Sequence, residues 1–245
     1  MVKKKIIVTG GYGFIGSAII RHLIKDNKYK IINIDKLTYA SNKKSINTKN
    51  LKNYSHHKID LCNFYSLDRI IKKYSPDYVI NLAAETHVDR SIDKPVCFLN
   101  SNVIGTFNLL ECSMRYWKTL DLIRKNNFRL IHVSTDEVFG SLQSDGVFSE
   151  SSPYKPNSPY SASKASSDHF VRSWHQTYGF PSIITNCSNN YGPWQYQEKL
   201  IPLTIKNAMN NTIIPLYGNG LNIRDWLFVD DHINALLKVA MDGRV

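Results

Sequence analysis

The chain has 245 residues, 42% of them hydrophobic, and carries 31 Lys and Arg against 20 Asp and Glu, a formal net charge of +11. That apolar share excludes a disordered chain, and the length suits one sizeable core or one domain with a small lobe. Much of the basic excess lies in lysines of the first half (Lys3 to Lys5, Lys43, Lys44, Lys49, Lys52, Lys72, Lys73) with no interleaved aromatic motif, so it reads as solvated surface and a field for an anionic small molecule, with no nucleic-acid partner.

In chain order, Met1 to Lys5 imitates the basic start of a secretion signal, but the apolar run after it breaks at Thr9-Gly10-Gly11. No later run approaches a membrane span, so a cytoplasmic protein without a membrane partner is expected. Lys5 to Thr9 reads as a buried strand, Gly10-Gly11-Tyr12-Gly13-Phe14-Ile15-Gly16 as a glycine turn, and Ser17 to Lys25 as a helix with Ala18, Ile19, Leu23 and Ile24 inward. Strand, glycine turn and helix in that order form a cradle for a pyrophosphate, held by free N–H groups at the helix start. The strand Tyr29 to Ile34 ends at Asp35, about 20 residues past the glycines, where an acid grips a ribose diol and repels a 2′-phosphate; this selects NAD over NADP.

Ser41 to Tyr54 is a polar loop with a weak helix, and Ser55 to Ile59 a third strand ending at Asp60-Leu61, on the adenine side. Asn63 caps a helix running to Tyr74. Asp77 to Leu82 is the fourth strand, with small Ala83 and Ala84 at its edge to let a cofactor lie against the backbone. Glu85 to Ser91 is a polar loop in which His87 and Arg90 read either as substrate contacts or as structural hydrogen-bonding groups. Asp93 to Trp117 is expected as one long helix with Pro95 in its first turn, and Thr119 to Asn127 as a connector.

The β-branched run Ile131-His132-Val133 then delivers Ser134, Thr135, Asp136 and Glu137 to the carboxyl edge of a parallel sheet, where ligands of open α/β folds bind. A long Ser- and Pro-rich loop, Ser141 to Pro159, precedes a helix that begins at Tyr160 and ends at Gly179. Tyr160 and Lys164 lie four apart on one face of it, so the lysine charge is expected to lower the tyrosine pKa. A tyrosine base, two carboxylates and a hydroxyl suit proton and hydride chemistry on an alcohol. Pro181 to Thr185 is a sixth strand; beyond it come a helix Leu200 to Met209, short strands Ile213 to Tyr217 and Asn222 to Val229, and a helix Asp230 to Met241 returning to the main sheet. The four cysteines, Cys62, Cys97, Cys112 and Cys187, form no C-x-x-C pair and read as reduced thiols, and the eight histidines have no metal-ligand spacing, so no metal is expected.

These motifs carry a family likeness. Thr9 to Gly16, Ser134-Thr135-Asp136-Glu137 and Tyr160-x-x-x-Lys164 resemble the extended short-chain dehydrogenase/reductases. Asp35-Lys36-Leu37-Thr38, the run Leu82 to Ser91, Ser188 to Pro193, Glu198 to Pro202 and Arg224-Asp225-Trp226 narrow the resemblance to the dTDP-glucose 4,6-dehydratase family. Asp136 discriminates, because related decarboxylases and GDP-mannose dehydratases typically carry Ser there and 4-epimerases lack the acid pair. Thr86 and Ser101 stand where the family has Ser and Thr.

The resemblance implies an α/β fold: a Rossmann-type doubly wound parallel sheet with a small, incomplete C-terminal substrate lobe. Residues 1–188, rejoined by 225–245, would form the NAD-binding domain, and 189–224 part of a substrate lobe truncated relative to the family, whose pattern continues past Val245. It implies a homodimer built on two long helices, and NAD held by Gly10, Gly13, Phe14, Ile15 and Gly16; by Asp35, Lys36, Leu37 and Thr38; by Asp60, Leu61, Leu82, Ala83, Ala84, Thr86 and Ser101; and by Ser134, Tyr160, Lys164 and Asn190. A sugar nucleotide would meet Thr86, His87, Thr135, Asn189, Glu198, Lys199, Leu200, Pro215, Tyr217 and Arg224. The implied chemistry is loss of water from a nucleoside-diphosphate glucose after transient oxidation at C4. Tyr160 is the base at O4, Lys164 its support, Thr135 a hydrogen bond to O4, Glu137 the base at C5 and Asp136 the acid at C6. The alternatives are a UDP-glucose dehydratase or 4-epimerase, and a non-catalytic NAD-binding module.

Overall fold

The computed structural model describes residues 3–48, 51–142, 146–216 and 218–243. Its first unit is β1 (Lys4–Thr9), a glycine turn, α1 (Phe14–Ile24) and β2 (Tyr29–Ile34), the expected order, with the helix opening at Phe14, inside the expected turn, rather than at Ser17. β3 (Tyr54–His57), α2 (Phe64–Tyr74) and β4 (Tyr78–Asn81) follow. Asn63 caps α2 by accepting from the Ser66 amide at 3.0 Å, which satisfies one of the helix's free donors.

The single helix expected over 93–117 is broken into α3 (Val88–Asp93), α4 (Pro95–Phe98), a π turn (Leu99–Ile104) and α5 (Gly105–Lys118). Pro95 has no amide hydrogen with which to continue α3, and Lys94 leaves helical geometry at φ −135, ψ 61. In the π turn the Gly105 amide reaches back to the Asn100 carbonyl, a wider loop than an α-helix makes. α3 also takes in the end of the expected polar loop, and the connector contains α6 (Leu122–Asn127), capped by Asp121.

β5 (Arg129–Thr135) runs into a 3₁₀ turn (Asp136–Phe139). α7 (Pro159–Tyr178) starts at a reciprocal Ser158–Ser161 cap with Pro159 in its first turn, and stops at Gly179, whose φ of +61 suits a residue without a Cβ. β6 (Ser182–Cys187) completes six parallel strands in the order β3-β2-β1-β4-β5-β6. The order reverses between β1 and β4, and a ligand crevice opens at such a switch point. Successive residues on a strand point to opposite faces, so the sheet splits its apolar side chains between two layers. Ile7, Val79 and Leu130 pack toward α2, α5 and α7, and Ile6, Val8, Ile80, Ile131 and Val133 toward α1.

β7 (Asn189–Tyr191), α8 (Leu200–Met209), β8 (Trp226–Phe228) and α9 (Val229–Asp242) finish the chain. β7 and β8 form a separate parallel pair, and Val229, Ile233, Leu236, Leu237 and Ala240 of α9 join the α1 layer. The two short strands expected after α8 are otherwise: residues 212–216 are irregular, Tyr217 lies outside the described residues, and only Trp226–Phe228 of the second is a strand. β7 was not foreseen. Among the described residues no helix is long and apolar enough to cross a membrane, and no cluster of three or more His, Cys, Asp or Glu could hold a metal.

Candidate active site

One cavity runs along the carboxyl edge of the sheet from the glycine turn to Tyr160 and Lys164. At its first end Gly10 has φ +68, and a Cβ there would stand 2.8 Å from Ala83 Cα; at Gly16 a Cβ would stand 2.3 Å from the Gly10 carbonyl oxygen. Side chains at these two positions would force apart the β1–α1 turn and the β4 edge, so the backbone N–H groups stay open to a phosphate. Gly10, Gly13, Phe14, Ile15 and Gly16 line this end, with Asp35, Lys36, Thr38, Asp60, Leu61, Leu82, Ala83, Ala84, Thr86 and Ser101 beyond it. Leu37 does not line the cavity; its φ of +64 turns the chain after Asp35.

Asp35 is buried and does more than its spacing indicates. Its carboxylate accepts from the Tyr12 amide at 2.9 Å, the Leu37 amide at 2.7 Å and the Ser41 hydroxyl at 3.0 Å. A carboxylate has about four acceptor sites, which leaves room for a ribose hydroxyl. Lys36, the next residue and a charge that could welcome a 2′-phosphate, is instead occupied: its ammonium pairs with Glu85 at 3.5 Å and hydrogen-bonds Ser101 Oγ. The donor set therefore fits a dinucleotide with an unphosphorylated ribose. Asp35→Ala is expected to weaken NAD binding and narrow its preference over NADP, measured by titration with each; equal affinity of the native protein for both would contradict the assignment.

At the far end, β5 delivers Ser134 and Thr135 and the 3₁₀ turn presents Asp136 and Glu137. Thr135 Oγ1 accepts from the Glu137 amide and donates to Asp136 Oδ1, both at 3.2 Å. Glu137 lines the cavity and Asp136 does not. Burial raises both carboxyls above the ordinary range; the Asp136 charge raises Glu137 further, while Lys199 and Arg224 pull it down. Two neighbouring carboxyls that burial raises alike suit a pair in which one holds a proton while the other is ionised.

The expected lowering of Tyr160 is corrected by the structure. Burial pushes the Tyr160 phenol far above its ordinary value, Glu137 and Cys187 add to this, and the Thr135 hydrogen bond opposes it only in part. The Lys164 amino group is turned to β5, donating to the Val133 carbonyl at 2.8 Å and standing 3.3 Å from His132 Nε2. Four-residue spacing put both side chains on one face of α7 but did not fix which neighbour the flexible lysine meets.

On the substrate side Thr86, Asn189, Glu198 and Lys199 line the cavity, and Asn190 does so while its Oδ1 meets His232 Nδ1 at 2.7 Å. Glu198 ties the mouth together, accepting from Tyr39 Oη at 3.1 Å and Arg90 at 3.4 Å with His87 Nε2 3.8 Å away. Lys199 donates to the Thr86 carbonyl at 3.0 Å, and burial lowers its ammonium. His87, Leu200, Pro215 and Arg224 fall outside the lining, and Tyr217 outside the described residues. Leu200 opens α8 half-exposed, Pro215 and Arg224 are exposed, and the Arg224 charge still reaches Glu137. Cys187, Trp194, Gln195 and Tyr196 also line the cavity and were missed. A thiol in a strand and aromatics in a loop carry no spacing signal.

A sequence model described as GDP-mannose 4,6 dehydratase matches residues 7–244. The dTDP-glucose 4,6-dehydratase of Neisseria meningitidis serogroup B is 52% identical over 244 residues, covering 99% of this chain and 69% of that protein. Among solved structures, the dTDP-glucose 4,6-dehydratase of Bacillus anthracis in complex with NAD is 45% identical with a TM-score of 0.88, over 99% of this chain and 73% of that one. The Streptomyces venezuelae enzyme of the same name, also with NAD bound, is 40% identical with a TM-score of 0.89, over 98% and 73%. With Glu137, the tyrosine–lysine helix and the glycine turn in one cavity, these likenesses place the chain in the nucleotide-sugar 4,6-dehydratase family, among the dTDP-glucose 4,6-dehydratases.

Proposed function

We propose that this chain is a lyase that removes water from a nucleoside-diphosphate glucose, dTDP-glucose in the first instance, giving the 4-keto-6-deoxy sugar nucleotide. The observation that carries the reading is the Asp136–Glu137 pair placed beside Tyr160, because an epimerase needs a base at O4 but no acid pair for elimination. NAD, when bound, supplies a two-electron acceptor that is restored by the end of the turnover. Tyr160 takes the O4 proton as C4 becomes a ketone, and Thr135 holds O4 by a hydrogen bond. The ketone acidifies C5–H, which Glu137 removes. Asp136 gives its proton to the departing C6 hydroxyl, so water leaves. The hydrogen taken from C4 ends on C6, and Glu137 returns its proton to C5.

Position supports the role of Glu137, and burial that of Asp136. Glu137 faces the cavity as a base must, and Asp136, carboxyl raised by burial, holds a proton at ordinary pH more readily than an exposed aspartate. The cofactor end would belong to residues 1–188 with 225–245, and the sugar-nucleotide end to 189–224. Mass spectrometry of the product tests the proposal: loss of one water supports it, whereas an isomer of the substrate or unchanged substrate contradicts it.

The same reading extends to assembly and compartment. A homodimer is expected, since Ile92, Val96, Leu99 and Ile104 leave apolar side chains in water along α3, α4 and the π turn. Light scattering at micromolar concentration should give twice the chain mass; a monomer would contradict this. The cytoplasm suits the free thiols and the nucleotide substrate.

A further inference from the structure

Behind Lys164 lies a buried polar chain that the reaction described above leaves unused. Tyr160, Lys164 and Asp168 repeat every four residues along α7, so they share one face, against His132 of β5. His132 and Asp168 are each 1% exposed. Such groups are costly to enclose unless they are matched to partners.

The hydrogen-bond pattern fixes the state of the imidazole. Thr9 Oγ1 accepts from the Leu82 and Ala83 amides, each at 3.2 Å, so its own proton goes to Asn81 Oδ1 at 2.7 Å. That orients the Asn81 amide, whose NH₂ faces His132 Nδ1 at 3.0 Å and Thr106 Oγ1 at 3.3 Å. Nδ1 is therefore an acceptor, and in a neutral ring the proton sits on Nε2. The ring is neutral: burial, then the Lys164 charge, pushes it down to about 4.

Nε2 faces two groups, Lys164 Nζ and Asp168 Oδ1, each at 3.3 Å. Asp168 Oδ2 accepts from Ser134 Oγ at 2.6 Å and Tyr154 Oη at 3.0 Å, whereas the buried Oδ1 has, among the described residues, no hydrogen-bond partner apart from the contact with His132 Nε2. Among the described residues no carboxylate lies within 4.0 Å of Lys164 to pair with it directly. Its enclosed cation is balanced across the edge of the imidazole, by an oxygen that nothing else claims.

We propose that His132 and Asp168 are positioning residues for Lys164: Asp168 supplies the counter-charge that keeps its amino group a cation for the oxidation step, and the Nε2–H of His132, which cannot accept from Lys164, holds Asp168 in place. The proposal rests on the reading above that Lys164 supports Tyr160. Electrostatics agree with the geometry. Burial drives the Lys164 ammonium down and Asp168 is the first group opposing it. Burial also works against the Asp168 charge, yet His132, Lys164 and Ser134 together hold that carboxyl below its ordinary range. The ionisable groups facing this chain are His132 from β5, Tyr160 and Asp168 from α7, Cys187 from β6 and Tyr154 from the loop before α7; Asp136 and Glu137 face Tyr160 from the 3₁₀ turn.

The test is the pH profile of single-turnover oxidation in the NAD-loaded protein with dTDP-glucose, read by the absorbance of the reduced cofactor. Removing the Asp168 anion lowers the pH at which Lys164 loses its proton. Asp168→Asn should therefore move the alkaline limb down by about one unit or more and lower the plateau about tenfold or more, with KM changing less than kcat. Tyr154→Phe, which removes a hydrogen bond to Asp168 but leaves the charge, should keep the limb in place. His132→Gln can accept from Asn81 and donate to Asp168, so it should exceed His132→Leu in rate. An unmoved alkaline limb in Asp168→Asn, or an equal shift in Tyr154→Phe, overturns the proposal. If Asp168→Asn does not fold, the His132 pair decides: equal rates for Gln and Leu overturn it. Lys164→Met separates the two readings, because normal oxidation in that variant refutes the role of Lys164 itself.

Discussion

Elimination is expected to stop in Glu137→Gln while oxidation at C4 continues. The amide keeps the shape of the side chain and its capacity to hydrogen-bond, but it is far too weak a base to take a proton from carbon. Oxidation does not need that proton and dehydration does, so loss of a general base should cost dehydration about 10²–10⁴-fold. The variant should accumulate reduced cofactor with the 4-keto glucose nucleotide and should cease exchanging its C5 hydrogen with deuterated solvent. Asp136→Asn should differ, retaining C5 exchange while the C6 hydroxyl lacks its proton donor. The Asp136 charge raises the Glu137 carboxyl, so Asp136→Asn should also ease ionisation of Glu137, but the division of effects between exchange and departure should hold. Native dehydration by Glu137→Gln would show that the acid pair is not the elimination machinery.

Tyr160→Phe should block the step before. Among the described residues, no other group in the reacting end of the cavity combines a titratable oxygen with a place on the α7 face beside Thr135. The loss should again be about 10²–10⁴-fold in single-turnover oxidation. Burial and the Glu137 charge favour the protonated phenol, so native oxidation should quicken as pH rises on the acid side of its profile, before Lys164 loses its proton. The variant should lose that rise as well as the rate. Unchanged formation of reduced cofactor would remove Tyr160 from its role.

Much of the architecture was legible because each signal was local. β1, the glycine turn and α1 lie within a stretch where apolar run, glycines and helical spacing all agree. The last turn of α7 was readable from Gly179, where a missing Cβ lets the backbone turn, whereas the helix starts one residue before the expected Tyr160, with Pro159 inside its first turn. The region 93–117 was less so: its apolar spacing is helical almost throughout, and the break depends on the missing amide of Pro95 and a π turn. β7 has three residues and pairs with β8, far along the chain, so only tertiary contact makes it a strand.

In the site, residue types and approximate positions were readable, but partners were not. Thr135, Glu137, Tyr160 and Lys164 do meet in one cavity, yet the direction of the Tyr160 shift depends on how completely the phenol is enclosed and on where Lys164 turns. His132 drew no notice as a site residue because a polar residue in a buried strand has no periodic signature. Its significance comes from the register that sets it beside Asn81 and from the α7 face that brings Asp168 to it.

The central claim is that a hydrogen leaves C4, is stored, and returns to C6 as water departs. Turnover of dTDP-glucose carrying deuterium at C4, with NMR of the product, tests this most directly. Deuterium is expected in the C6 methyl group, with a ketone at C4 and, in deuterated solvent, solvent hydrogen at C5. Deuterium still on C4, with the hydroxyl configuration inverted, or deuterium lost to solvent without a C6 methyl group, would contradict it.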